Sequence, residues 1–328
     1  MSIDLTDPTF TDERKAREHF EAVRWPNGPV CPHCGNVDQK RIYAIKPNPD
    51  KKIREGLYEC AECHGSFTVR TGTVMESSHA PLTKWALAYR LITGAKKGMS
   101  AHQLHRTIGV TYKTAWFMAM RIRESMRDVS GDKLGGPGKI VEADEVYIGG
   151  KIRKGTPGDG RKINSLNRTP VAVLVERGKG GRSRATIVSH PLGGVLKRNI
   201  VANVERGTEM HTDQHKAYRR IGDLLGAEHK HVNHWTGEYA RGDVHSNTAE
   251  SWNALLERSI VGAFHHVSPE HLSRYCDEVA FRWDRREMDD TERTAAAIKG
   301  GEGKRLMYQR PRGGQSPKTP TGEAASLT

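Results

Sequence analysis

Four of the five cysteines fall into two Cys-x-x-Cys pairs, Cys31/Cys34 and Cys60/Cys63, and no other feature so narrows what residues 1–80 can become. Each knuckle aims two thiolates at one point. In a reducing compartment, two such knuckles read as one tetrahedral structural zinc site rather than as disulfides or a redox dithiol. The interval between the pairs exceeds the usual ribbon spacing, and Lys46-Pro-Asn-Pro-Asp-Lys-Lys52 supplies a loop that absorbs the excess. Short strands are expected at Arg41–Ile45, Tyr58–Cys60 and Ser66–Arg70. They follow an amphipathic helix over 11–24 with Ala16, Phe20 and Val23 on one face and Thr11 as its cap. Cys276, beside Tyr275 on a later helix, reads as an inert buried thiol.

Residues 81–134 change to a helical period. The pattern gives one helix over Thr83–Thr93, a second capped by Ser100 and running to Ile108, a turn at Gly109-Val110, and a third from about Thr111. A short helix, a glycine turn and a longer helix presenting Lys113 and Thr114 near its start form a helix-turn-helix-like segment suited to a DNA groove. A helical spacer is the other reading. Gly135-Gly-Pro-Gly138 reads as a linker.

Beyond the linker, strand signals dominate at Ile140–Ile148, Pro170–Val175 and Ala185–Ser189. They are followed by a helix over Val195–Val204, a strand ending at Asp213, a helix through Leu225, a short strand at His231-Val232, and a helix carrying Glu250. That order suits a ribonuclease-H-like (retroviral-integrase-like) mixed α/β catalytic domain over 139–290, in a chain that is multidomain α+β as a whole. Asp144 and Asp213 sit among apolar or β-prone residues, where an unpartnered acid is costly. With Glu250, one turn into its helix, they are the candidate catalytic residues. Phosphoryl transfer with two metal ions needs carboxylates from separate segments converging on cations roughly 3.5 to 4 Å apart, and hard oxygen donors favour Mg2+ or Mn2+.

Strand alternation puts Glu145 on the opposite sheet face from Asp144, as a solvated or structural acid, and Glu142 on the same face, as a neighbour that supports it. Asn247 reads as a helix cap or accessory to the metal site, Glu250 being preferred as the ligand. Lys151, Arg153, Lys154, Arg161 and Lys162, in a Gly-rich stretch, are candidates for gripping DNA phosphates, a solvated hairpin being the alternative. Trp252, Phe264 and Trp283 read as core. His265 and His266 are either site or structural histidines, and Arg282, Arg285 and Arg286 a basic patch or a solvated face. Residues 300–328, rich in Gly, Pro, Lys and Thr, read as a disordered tail.

Lys and Arg outnumber Asp and Glu by 52 to 39, a net charge of +13 over 328 residues, which favours a polyanionic partner without choosing among DNA, RNA and anionic lipid. No apolar leader opens the chain and no run approaches bilayer length, so a cytoplasmic protein with no membrane partner is expected.

Several motifs in one order make the chain similar to a known family. They are Arg24-Trp-Pro-Asn-Gly-Pro-Val-Cys-Pro-His-Cys-Gly35, Phe67-Thr-Val-Arg-Thr-Gly-Thr73, Lys113-Thr-Ala-Trp116, Asp144-Glu-Val-Tyr-Ile-Gly-Gly150, Thr212-Asp213, Asn247-Thr-Ala-Glu-Ser-Trp252 and Gly262-Ala-Phe-His-His-Val-Ser268. Together they resemble the bacterial insertion-sequence transposases of the DDE class that carry an N-terminal zinc ribbon, to about residue 290. The resemblance implies cleavage of double-stranded DNA at the ends of a mobile element and strand transfer into target DNA. Synapsis of two ends implies a homodimer or higher oligomer. A zinc-ribbon DNA-binding regulator with an impaired nuclease-like domain, and a hydrolytic nuclease without strand transfer, are the competing readings. In one respect the chain departs from the family: where members commonly place a lysine, seven residues after the third acid, it has Glu257, with Arg258 next, offset by about 100° around the helix. Arg258 is therefore the candidate to contact phosphate in its stead.

Overall fold

The computed structural model describes residues 4–149, 168–213, 216–232 and 240–307. Helix α1 (Glu13–Arg24) starts at Asp12 rather than Thr11, because the Asp12 carboxylate accepts from the Arg14 and Lys15 amides while Thr11 closes the preceding 3-10 turn, Pro8–Phe10. The ribbon is a three-stranded antiparallel sheet of β1 (Ile42–Ala44), β2 (Tyr58–Cys60) and β3 (Ser66–Phe67). Strand β3 stops short of the expected Arg70, because Thr68–Thr71 folds into a turn in which the Thr71 hydroxyl accepts from the Thr68 amide. Trp25, Tyr58 and Phe67 pack their rings together with centroids 5.6 to 5.8 Å apart and join the ribbon to α1.

Helices α2 (Leu82–Gly94), α3 (Ala101–Ile108) and α4 (Tyr112–Met126) follow. Ser100 caps α3 through the Gln103 amide, Gly109 ends it in the left-handed region at φ 68°, and Thr111 caps α4 through the Thr114 amide. Lys113 is exposed; Thr114 is half-buried, its hydroxyl 2.9 Å from that of Thr111.

Gly135-Gly-Pro-Gly138 is no free linker. Leu134, Gly135 and Gly136 are buried, the Gly135 amide donates to Glu176, and the Gly136 amide donates to Thr208. Gly135 has φ 85°, and a Cβ there would lie 2.3 Å from the Thr208 hydroxyl, so only glycine fits.

A five-stranded mixed sheet follows, in the order β6-β5-β4-β7-β8. Its strands are β4 (Ile140–Ile148), β5 (Thr169–Glu176), β6 (Ser183–Ile187), β7 (Glu209–Asp213) and β8 (His229–Val232). Strand β4 pairs antiparallel with β5 and parallel with β7. Strand β6 begins two residues earlier than its apolar run suggests, because Ser183 pairs with Val175.

One face of the sheet, with Val146, Val171, Val173 and Val175, is covered by α7 (Asn247–Ser259) and α8 (Pro269–Asp284). The other, with Val141, Ala143, Ala172, Leu174 and Met210, is covered by α5 (Gly193–Asn203) and the short α6 (Ile221–Leu225). Trp252 is fully buried and donates its indole N–H to Ser183, which in turn donates to Asp284, so α7, β6 and α8 are locked together. Phe264 and Trp283 pack at the edge of this core, while His265 and His266 are exposed.

Residues 290–307 return to the N-terminal layer. Helix α9 (Asp290–Lys299) has a capping box of Asp289 and Glu292, and its Thr294 hydroxyl meets that of Thr93 on α2 at 2.7 Å. Beyond it, Gly301 accepts from the Val74 amide and Glu302 pairs with Thr73 and Arg24. Residues 300–307, part of the expected tail, thus strap the ribbon. The rest of that tail lies outside the described residues.

Arg282 is not part of a solvated patch. With Arg123 of α4 it flanks Glu278, all three buried, and Arg123 Nε lies 2.6 Å from the Glu278 carboxylate. Replacing Glu278 by Gln leaves two buried guanidinium groups without their anion. This should cost about 3 to 5 kcal/mol, seen as a lower urea midpoint. An unchanged midpoint would show that the triad does not hold α4 to α8.

Candidate active site and metal centre

The two knuckles close as the spacing requires. The Gly35 amide donates to Cys31 O and the His64 amide to Cys60 O, with φ 76° at Gly35 and 55° at His64. Cys31 and Cys63 Sγ lie 3.7 Å apart, as do Cys34 and Cys60 Sγ, and all four Sγ atoms fall within 4.8 Å of one another. A zinc tetrahedron with bonds of about 2.3 Å has S···S edges of about 3.8 Å, so the thiols fit this ion. The Asn36 amide donates to Cys60 Sγ at 3.5 Å and pulls that thiol down to about 6, toward the thiolate a metal needs. The purified protein should carry one zinc per chain, and chelation should unfold the ribbon, since such binding is worth roughly 10 to 16 kcal/mol. Elemental analysis finding no zinc beside four titratable thiols in folded protein would count decisively against this.

The acids gather at the far end of β4. The β4/β7 register pairs Ala143 with Thr212, so Asp144 and Asp213 follow side by side on the face under α7. Glu250 stands one turn into α7 and accepts from the Ser246 hydroxyl at 3.1 Å. Asp144 is pushed up to about 7, chiefly by burial and further by the charges of Glu145, Asp213 and Glu250, although the Glu145 amide donates to it. The three sequence-predicted acids are thus near neighbours. Their oxygens are not all mutually within the 4.8 Å that the four thiols achieve, and like charges repel.

Glu145 does take the opposite face, as alternation predicts, but it is not solvated. It accepts a 2.6 Å hydrogen bond from Tyr218, and burial, then the charge of Asp213, raises it to about 7. Tyr218 lies five residues past Asp213, so this bond ties the segment after β7 to the residue after Asp144. Asn247 is the exposed first residue of α7, and Ser246 holds the cap position with no side-chain cap bond. The amide that does reach an acid is that of Asn253, whose Nδ2 donates to Asp144 Oδ2 at 2.8 Å. Its Oδ1 is buried without a partner among the described residues, and a neutral carbonyl oxygen is of the hard donor type that a magnesium site takes. Asn253 lies three residues after Glu250 on the same helical face, so spacing could have flagged it. Arg177, which follows β5, carries no such signal. It donates to Glu142, to the carbonyls of Asp243 and His245, and approaches His211 Nδ1 at 3.1 Å. Glu257 and Arg258 are exposed on α7; Lys151, Arg153, Lys154, Arg161 and Lys162 lie outside the described residues.

The raised carboxyls fix a sign. Above their ordinary values of 3.8 and 4.5, Asp144 and Glu145 stabilise the fold at low pH and lose that contribution as pH rises through about 7. Zinc-loaded protein without added Mg2+ or Mn2+ should therefore melt at lower temperature at pH 8 than at pH 6, with a weaker trend in Asp144→Asn. Thermal scans showing the opposite slope would refute this electrostatic picture.

A four-thiol site built of two knuckles, beside an acid-lined mixed α/β domain, defines the class of protein in outline, and comparison with known sequences places it. Residues 11–66 match the transposase zinc-ribbon domain and residues 133–284 the ISXO2-like transposase domain. The chain is 30% identical over 287 residues, 81% of its own length and 89% of the relative's, to a protein of Halobacterium salinarum described as an uncharacterized protein in transposable element ISH50. The chain belongs to the insertion-sequence transposases with an N-terminal zinc ribbon. No described helix is long and apolar enough to cross a membrane.

Proposed function

We propose that this transposase cleaves the ends of its insertion sequence and joins them to target DNA, with Asp144, Asp213 and Glu250 holding two Mg2+ or Mn2+ ions. The observation that carries the reading is the convergence of three acids from β4, β7 and α7 at one end of the sheet, with Asp144 pushed up to about 7 by burial and further by that crowding. The sheet order, antiparallel on one side of β4 and parallel on the other, supports a ribonuclease-H-like architecture. When bound, the two ions would activate the attacking oxygen and stabilise the leaving one. Asp144 and Asp213 would fix the ions from the rigid sheet, Asn253 would hold the Asp144 carboxylate in orientation, and Glu250 would close the site from the helix. Lys113 at the start of α4 and the zinc ribbon are the proposed contacts to double-stranded DNA, and two ends joined in one reaction require at least two copies of the chain.

The test is cleavage of a duplex carrying the element end. Glu250→Gln should abolish Mg2+-dependent cleavage and leave end binding intact, and Asn247→Ala should only weaken it. The parent protein should also give joined products as well as nicked ones, which a hydrolytic nuclease would not. Near-normal cleavage by purified Glu250→Gln would sink the assignment of the third acid.

A further inference from the structure

Glu142 is fully buried on β4, two residues before Asp144 and on the same face. A lone carboxylate there would cost several kcal/mol, and a valine would serve the core at less expense. Its partners show what it does instead. Oε2 accepts from the amides of Thr248 at 2.7 Å and Ala249 at 3.0 Å, and Oε1 accepts from the Thr248 hydroxyl at 2.8 Å. These amides belong to the first turn of α7, whose N–H groups have no partner inside the helix. Ser246, in the cap position, offers no side-chain bond to them. Glu142 therefore supplies, from another element, the cap the helix lacks, and its charge suits the positive end of the helix dipole. Its second partner is Arg177, with Nε at 2.8 Å, which also binds the Asp243 and His245 carbonyls in the loop leading into α7. His245 Nδ1 stands 3.3 Å from the same carboxylate.

A second attachment lies further along. Asn253 of α7 donates to Asp144 at 2.8 Å. Two residues of strand advance about 6.6 Å, and the four helical residues from Ala249 to Asn253 advance about 6 Å. The spacing of the two acceptors on β4 thus matches that of the two donor groups on α7. Glu250 sits between them. Two matched anchors fix both the slide and the rotation of the helix over the strand, which one anchor cannot do.

We propose that Glu142 is a positioning residue that clamps the start of α7 onto β4 and so sets Glu250 over Asp144 and Asp213. The inference rests on the proposed metal role of those acids. Without the clamp, the first turn of α7 frays and the third carboxylate loses its fixed place, so the cost appears in metal affinity and turnover rather than in DNA binding. Glu142→Gln cannot substitute, because its single carbonyl oxygen cannot serve both the α7 amides and Arg177, and its NH2 meets donors on the other side.

The experiment uses the full-length zinc-loaded chain and three readouts. Hydrogen exchange followed by mass spectrometry on the peptide covering the start of α7 should show faster exchange in Glu142→Gln than in the parent. Mn2+ binding followed by electron paramagnetic resonance should weaken by about 10- to 100-fold, the range for groups that orient metal ligands. End cleavage should fall in kcat with an unchanged Kd for the end duplex, and excess Mn2+ should restore it in Glu142→Gln but not in Glu250→Gln. Thr248→Val, which removes one hydroxyl contact and keeps the shape, should move each readout the same way by less, and it stands in if Glu142→Gln folds poorly. Unchanged exchange at the start of α7 would overturn the clamp. Faster exchange with unaltered Mn2+ binding would reduce Glu142 to a support of the fold and equally overturn the proposal. If the parent chain neither cleaves nor binds Mn2+, the reading of the acids as a metal site fails, while the exchange readout still decides whether the clamp exists.

Discussion

Carboxylates repel, and the end of β4 is built around that fact. Asp144, Glu145, Asp213 and Glu250 crowd there, and the two on β4 are raised to about 7. A fold cannot hold such a cluster by apolar packing alone, because each acid left charged gains by moving into water. Hydrogen bonds hold it from behind. Tyr218 holds Glu145 on one face of the sheet; Asn253 holds Asp144 on the other; the Glu145 amide reaches back to Asp144. The valines of β4 and β5 and the buried Trp252 keep the surrounding layer rigid. The repulsion among the acids is the counterpart of their proposed affinity for divalent cations, since positive charge relieves it.

The same rigidity extends to the N-terminal layer. Arg123 and Arg282 enclose Glu278 between α4 and α8, and α9 crosses back to α2. Buried ions add little net stability, but breaking one pair is costly, so they fix a particular docking rather than a tight one. Residues 300–307 add a strap from α9 to the ribbon through Gly301, Glu302 and Gly303. The last described residues of the chain therefore serve the first. For a protein proposed to place DNA ends over a distant acid cluster, such docking turns recognition by the ribbon and α4 into position at β4.

What the amino acids alone reveal depends on whether the signal is local. The knuckles, the caps at Ser100 and Thr111 and the apolar run of β4 are local, and each stands where spacing places it. Asp144 beside Asp213 was legible through strand order, because parallel neighbours in register share a face. Most of the misreadings concern partners remote in sequence, the helix cap at Asp12 being a local exception. Asp12 and Thr11 both resemble caps, and only the actual chain path decides between them. Gly135-Gly-Pro-Gly138 has linker composition, yet Glu176 and Thr208 take up its amides. Arg282 looked solvated because Glu278 and Arg123 cannot be seen together in a linear pattern. Asn253 shares the Glu250 face and carries a readable spacing; Asn247 is the more conspicuous in the sequence because it sits at the helix start.

Position 257 shows how one substitution bears on this arrangement. Seven residues of helix return to nearly the same face, so Glu257 lies two turns from Glu250, about 10 Å along α7. A lysine there, as the resemblance implies, would meet phosphate arriving at the acids with opposite charge. On the proposed reading Glu257 would meet it with like charge, at a range comparable to the Debye length of about 8 to 10 Å. The helix cannot rotate to bring Arg258 into that line, because the bonds from Glu142 to Thr248 and Ala249 and from Asn253 to Asp144 hold it at both ends of its first two turns. On the proposed reading, a cation that offsets Glu257 has to come from side-chain reach, and Arg258 is the candidate, since a guanidinium pairs with phosphate in a bidentate fashion that lysine cannot. The anchoring proposed to place the third acid thus also leaves side-chain length, rather than helix rotation, as the means of bringing a cation to this face.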